Sequence, residues 1–200
     1  MRRAAGVLAR RCGFAVDLKP FGEGRAQLVA CIGGASGEPA IGFTGHPDTV
    51  PLCAQPWTVD PLAAEIKDGK LYGRGASDMK SGVAAFVAAG VALTGKLAKT
   101  PGAVTYITAG EETGYTGAAA MARETLPLVG ALVVAEPTGN QPLVGHKGAL
   151  WLEAVTPGVT AHGSMPEKGV NAVHKAARAI SALQDFDFNF ARHAVLGGPI

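Results

Sequence analysis

Residues 103–139 read AVTYITAGEETGYTGAAAMARETLPLVGALVVAEPTG. The pattern predicts a strand over Ala103–Thr108, a helix over Tyr115–Glu124 and a second strand over Ala131–Ala135, which Pro137 prevents from continuing. Acids stand at both strand ends, Glu111–Glu112 after the first and Glu136 after the second. Upstream, Phe14–Leu18, Gln27–Ile32 and Ala40–Thr44 predict strands, and residues 62–72 predict a hairpin turning at Asp68-Gly69. Residues 2–12 predict a helix stopped by Gly13. Ser81 to Leu97 predicts an Ala-rich helix, apolar all round and so expected to be buried against a sheet. Strands alternating with helices imply an α/β layered domain around a mostly parallel sheet.

Ligands of open α/β sheets bind at the carboxyl ends of the strands. Here those ends carry a histidine and acids in Gly/Pro-marked turns: His46 and Asp48 in TGHPDTVP, Asp78 in YGRGASDMKSG, Glu111 and Glu112 in TAGEETGYTG, Glu136 in VVAEPTG. Such groups are costly beside a buried strand unless a cation meets them, and one or two divalent metal ions would satisfy them all.

Each residue also has an ordinary explanation. His46 and Asp48, two apart, point the same way on extended chain, so Asp48 could fix the tautomer of a metal-binding His46; a turn Asp beside a satisfied histidine is the plainer account. Asp78 reads as an acid favoured by a helix N-terminus, or as a carboxylate bridging two metals roughly 3.5–4 Å apart. Glu111 and Glu112 diverge and repel. One can then bind metal while the other, with a raised pKa, serves a water as general base. Glu136 is the acid least suited to a structural role, since the apolar run Leu132–Ala135 leads into it.

In order along the chain, these motifs resemble those of the M20 family of zinc metallopeptidases and amidohydrolases, from about residue 13 to about residue 179. TGHPDTVP resembles the metal-histidine motif, GRGASDMKSG the bridging-aspartate motif, and EETG the pair of base and ligand. AEPTG resembles the next acidic-ligand motif, with Glu as in the deacetylase and desuccinylase branch. KGALWLEAVTPGVTAHGSMPEKGVNA resembles the start of the inserted lid, or dimerisation, domain.

The resemblance implies two Zn2+ ions, with Co2+ as a substitute, and hydrolysis of amide bonds in N-acyl amino acids or small peptides. It assigns His46, Asp78 and Glu136 to one metal, and Asp78 and Glu112 to the other. Asp48 would orient His46, Glu111 would be the base, and His162 would be the lid histidine that steadies the carbonyl oxygen. It also implies a cis peptide at Asp78–Met79 and a homodimer through the lid. The expected architecture is therefore part of a catalytic domain over residues 1–146 and the first half of an α+β lid over 147–200. In the lid, Ala149–Thr156 predicts a strand, followed by an amphipathic helix starting near Glu167 or Gly169.

The family's second zinc also takes a histidine from a C-terminal motif. His146, His174 and His193 lack the right surroundings for it. A truncated chain is the expectation, with a weak second site. The alternative is a fragment that folds and binds metal or ligand without turnover.

Composition narrows the rest. Hydrophobic residues are 48% and charged residues 17% of the chain, against roughly 25% charged in an ordinary soluble domain. Such a chain has a core, and some of its surface is expected to be covered by further chain or a partner. A net charge of +2, without a basic stripe, argues against nucleic acid or an anionic membrane as partner. Cys12, Cys31 and Cys53 make neither a CxxC pair nor a disulfide framework, which favours a reducing, cytoplasmic setting. No apolar run reaches the about 18 residues of a membrane span. The Arg-rich opening, MRRAAGVLARRCGF, is read as a surface helix in preference to a transit peptide. A Rossmann-type nucleotide site is set aside, because Gly22–Gly24 lacks GxGxxG and a following helix.

Overall fold

A computed structural model describes every residue except 1, 35–36, 188 and 199–200. The turn signal that the sequence carries at Gly197-Gly198-Pro199-Ile200 lies partly outside the described residues. The chain divides into two compact units, Met1–Asn140 and Gln141–Ile200.

The first unit is built on a five-stranded sheet of β1 (Ala15–Pro20), β2 (Ala26–Ile32), β3 (Ala40–Gly45), β6 (Ala103–Ile107) and β7 (Val129–Val134), in the order β1-β2-β6-β3-β7. β3 pairs in parallel with both β6 and β7, while β2 runs antiparallel to β1 and β6. Four strands therefore share one direction and β2 alone is reversed. A separate hairpin joins β4 (Glu65–Lys67) to β5 (Lys70–Tyr72). The helices of this unit are α1 (Arg2–Arg11), α2 (Ser81–Ala92), α3 (Thr94–Leu97) and α4 (Thr116–Met121).

The two-residue period of β2 divides the core. Leu28, Ala30 and Ile32 face one layer with Met79, Val83, Phe86 and Ile107. Val29 faces the other with Val104, Tyr106 and Met121. β6 is buried along its whole length, as a strand covered on both faces must be.

Two expectations about helices and strands are corrected. The helix expected over 81–97 is broken at Leu93 (φ −100°, ψ 6°) into α2 and α3. Thr94 Oγ1 there donates to the carbonyls of Val91 (2.7 Å) and Gly90 (3.2 Å), a local competitor for the helical ladder. Although apolar all round, α2 buries only Val83 and Phe86 fully, because just one of its faces meets the sheet. β7 forms the sheet edge, leaving Leu132, Val133 and Val134 52%, 43% and 55% exposed.

In the second unit, the strand expected at Ala149–Thr156 does not form, and Leu150, Trp151 and Leu152 are exposed. Alternation makes a strand only where a neighbour pairs with it. Among the described residues of this unit, the pairing is confined to isolated bridges, Val159 with Val170 and His193 with Gly197. A 3-10 turn at Pro166–Lys168 precedes α5 (Ala172–Gln184), whose first turn is capped by Asn171 Oδ1 accepting from the His174 amide at 3.0 Å. Among the described residues, no helix is long and apolar enough to cross a membrane.

Candidate metal centre

Three parallel strands deliver the site. In register, Gly45 lies opposite Ile107 and Thr44 opposite Val134. The pairing runs on past both ends, with Thr108 N donating to Gly45 O (3.0 Å) and Ala135 N to Thr44 O (3.3 Å). The residues that follow these ends, His46, Glu111 and Glu136, therefore emerge together. Asp78 arrives from the turn before α2, through a cis Asp78–Met79 peptide, and Met79 beside it is wholly buried.

His46 is 1% exposed and is the focus of the cluster. Its Nε2 lies 3.4 Å from Asp78 Oδ1, 3.6 Å from Glu111 Oε2 and 3.6 Å from Glu136 Oε1. Its Nδ1 lies 3.0 Å from the main-chain oxygen of Asp48 and 3.6 Å from Asp48 Oδ1. A carbonyl only accepts, so Nδ1 carries a proton, and Nε2 is the ring atom that faces the carboxylates.

Burial raises the pKa of Glu111 above the usual carboxylate range. The neighbouring acids Glu112, Asp78 and Asp48 add to the shift, and His46 partly offsets it. Glu136 is raised for the same reasons, with Asp78, Glu111 and Glu112 as its acidic neighbours. Glu112 is held differently: Oε1 accepts from Val50 N at 3.2 Å, while its own amide donates to Asp48 Oδ2 at 3.2 Å.

The donor set suits a divalent ion. Two groups, His46–Asp78–Glu112 and His46–Glu111–Glu136, each bring an imidazole nitrogen and two carboxylate oxygens within 4.8 Å of one another. Among the described residues, the cluster's ion pairs all run to His46, with no Lys or Arg sharing them. Four carboxylates around one imidazole are the hard-oxygen-plus-nitrogen set that zinc and its neighbours accept. Glu111 and Glu136 share one group, Asp78 and Glu112 the other, and both Asp78 and Glu136 also lie within 3.6 Å of His46 Nε2.

His162 lies in the second unit and is exposed. Its Nδ1 accepts from the Ser164 amide at 3.2 Å and lies 2.8 Å from Ser164 Oγ. Sequence reasoning missed the hydrogen bond from the Glu112 amide to Asp48, the burial of Met79 beside Asp78 and the close approach of Gly82 to Ala135. Only the glycine in the first turn of α2 gave a sequence signal, as an otherwise poor helix residue.

Residues 42–192 match the model of peptidase family M20/M25/M40. The chain is 36% identical over 178 residues to acetylornithine deacetylase of Proteus mirabilis, covering 86% of this chain and 45% of that protein. It is 38% identical over 174 residues to a probable succinyl-diaminopimelate desuccinylase of Staphylococcus epidermidis, covering 86% and 42%. It thus spans about half the length of the curated relatives it matches. Among solved structures, human carnosine dipeptidase 1 superposes with a TM-score of 0.56 at 25% identity, over 79% of this chain and 34% of that one. A tripeptidase from Staphylococcus aureus shares the fold at 22% identity, with a TM-score of 0.59 over 90% and 49%.

Proposed function

Because this chain belongs to peptidase family M20/M25/M40, we propose that its strand-end cluster is the metal site of an amide hydrolase acting on N-acyl amino acids or small peptides. The observation that carries the reading is the convergence of three carboxylates, from three separate segments, within 3.6 Å of a single buried imidazole nitrogen. His46, Asp78, Glu112 and Glu136 would hold the metal, with zinc as the native ion, Co2+ as a substitute and two ions per site. A bound divalent ion supplies Lewis acidity, polarising an amide carbonyl and making a nearby water more acidic.

The protein groups then divide the proton work. Glu112 is tied at both its amide and its carboxylate, which suits a fixed ligand. Glu111, its pKa raised by burial, suits the base that takes a proton from the attacking water and passes it to the leaving amine. His46 is kept in its metal-binding tautomer by the main-chain oxygen of Asp48. His162 would donate to the carbonyl oxygen as charge develops there. The N-acyl amino acid preference rests on the names of the deacetylase and desuccinylase relatives. A homodimer formed through the second unit, and a cytoplasmic setting, complete the proposal.

A second reading, metal or ligand binding without turnover, draws on one observation: both donor groups share the same lone imidazole. Hydrolysis of N-acetyl- and N-succinyl-amino acids by the zinc-loaded chain, compared with Glu111→Ala, separates the two. Turnover abolished by the substitution with zinc still bound supports the hydrolase. Zinc binding without turnover in either protein supports the second reading, and no zinc binding at all removes both.

A further inference from the structure

Between α2 and the sheet lies a cavity of about 270 Å3, walled by residues of α1, α2, α3, β2, β3 and β6. Protein interiors hold few voids larger than a water molecule, so this space exceeds an ordinary packing flaw. No proposed metal donor lines it. Among the described residues that line it, none is charged and only Thr105 has a polar side chain. Thr105 stands opposite Phe43 in the β3–β6 register and is 7% exposed. Its hydroxyl makes no hydrogen bond among the described residues. A buried hydroxyl without a partner carries a desolvation cost that one hydrogen bond would offset. The rings of Phe43 and Phe86 stack beside it, 5.9 Å apart at their centroids. Two lining residues, Ile41 and Leu93, are also 39% and 44% exposed, which places the mouth beside them.

We propose that this cavity is a binding site for a small neutral aromatic molecule bearing one hydroxyl, a phenol, with its ring against Phe43 and Phe86 and its hydroxyl on Thr105. Size selects a single ring. An apolar cavity of about 150 Å3 accepts benzene, and drug-sized ligands occupy roughly 300–1,000 Å3, so a space between these limits suits one substituted ring. The stacked phenylalanines favour an aromatic guest over an alkyl chain, since ring pairs gain beyond their buried area. Thr105 selects the hydroxyl. The site stands apart from the hydrolase reading, because a carboxylate entering it would meet no counter-charge, which excludes N-acyl amino acids.

Titration of the 200-residue chain, 13C-labelled at isoleucine δ1 methyls, with phenol and with toluene, its hydroxyl-free counterpart of similar size, tests this. Saturable shifts are expected at Ile41 and at Ile107, a lining residue only 1% exposed, but not at Ile66, 76% exposed on the β4–β5 hairpin. Thr105→Val keeps the side-chain shape and removes the hydroxyl. It should weaken phenol binding about 2–10-fold and leave toluene within about 2-fold of its original affinity. Ala89→Leu, which adds bulk at an exposed lining position of α2, should weaken both ligands. Shifts at Ile66 without shifts at Ile107 would show adhesion to the surface, and overturn the proposal. Absence of saturable shifts overturns it too, as does an equal loss of phenol and toluene in Thr105→Val. If one variant does not fold, the other decides alone: unchanged phenol affinity in the variant that folds overturns the proposal, and the stated loss supports it.

Discussion

Gly45 and Met79 meet so closely that a Cβ on the glycine would lie 2.6 Å from Met79 Cε and 3.1 Å from Sδ. Gly45 immediately precedes His46, and Met79 immediately follows Asp78. The contact therefore sets the spacing of two proposed metal donors from within the core. Met79→Ala should cost about 2–5 kcal/mol, the range for emptying a buried Met site. Met79→Leu, which nearly conserves volume, should cost under about 1.5 kcal/mol. Urea unfolding with an unchanged m-value checks both. A Met79→Ala loss under about 0.5 kcal/mol would mean the side chain is not the anchor described here.

Gly82 makes a second approach with no room for a side chain, since an added Cβ would clash with the carbonyl oxygen of Ala135. That contact holds the first turn of α2 against the strand end that carries Glu136. Gly82→Ala should lower both stability and zinc affinity by moving Asp78 away from Glu136. Gly95, with nothing within 4 Å of an added Cβ, is the control. Gly95→Ala should be neutral or stabilise α3 by up to about 1 kcal/mol. Equal behaviour of the two variants in thermal unfolding and zinc titration would contradict the packing argument.

The crowded carboxylates give a pH dependence of definite sign. Burial, with the acidic neighbours, raises Glu111 and Glu136 in the folded chain. The folded state then binds more protons than the unfolded state across this range, so stability falls as pH rises. Their favourable contribution is complete below the unfolded carboxylate value and is lost as pH climbs through the raised folded values. In the metal-free chain, Glu111→Gln and Glu136→Gln should each flatten this decline. Zinc needs deprotonated ligands, so its stabilising effect should grow over the same rise in pH. At 100 times the dissociation constant it should reach about 2.7 kcal/mol. A zinc effect that shrinks as pH rises would contradict the site.

His162 and His46 should show opposite tautomers. The Ser164 amide can only donate, so Nδ1 of His162 accepts and the neutral ring keeps its proton on Nε2. In His46 the proton is on Nδ1, facing the Asp48 oxygen. Ring 15N shifts distinguish the two forms directly. An Nδ1-protonated His162 would remove the donor that the proposed role at the carbonyl oxygen requires.

Much of the first unit was legible because its signals are local. Short apolar runs marked β2, β3 and β6, and the turns after β3, β6 and β7 announced themselves through Gly and Pro. Where neighbours decide, local signals failed. Residues 149–156 alternate yet find no pairing strand, and the helix beginning at Ser81 yields at Leu93 to the hydroxyl of Thr94. The partners of Asp48 were hidden for a similar reason. Its carboxylate meets an amide 64 residues away, a distance that no spacing rule spans.

The amino-acid order alone settled which residues end strands, and hence that His46, Glu111 and Glu136 gather at one rim of a sheet. Side-chain period and turn chemistry act over a few residues and need no partner. Tertiary structure decided the order β1-β2-β6-β3-β7, and with it the placing of His46 at the end of a strand flanked by the two that deliver Glu111 and Glu136. It also decided that Glu112 is tethered while Glu111 faces the imidazole. Strand register and long-range hydrogen bonds set those distances, and both form only when distant segments of chain are brought together.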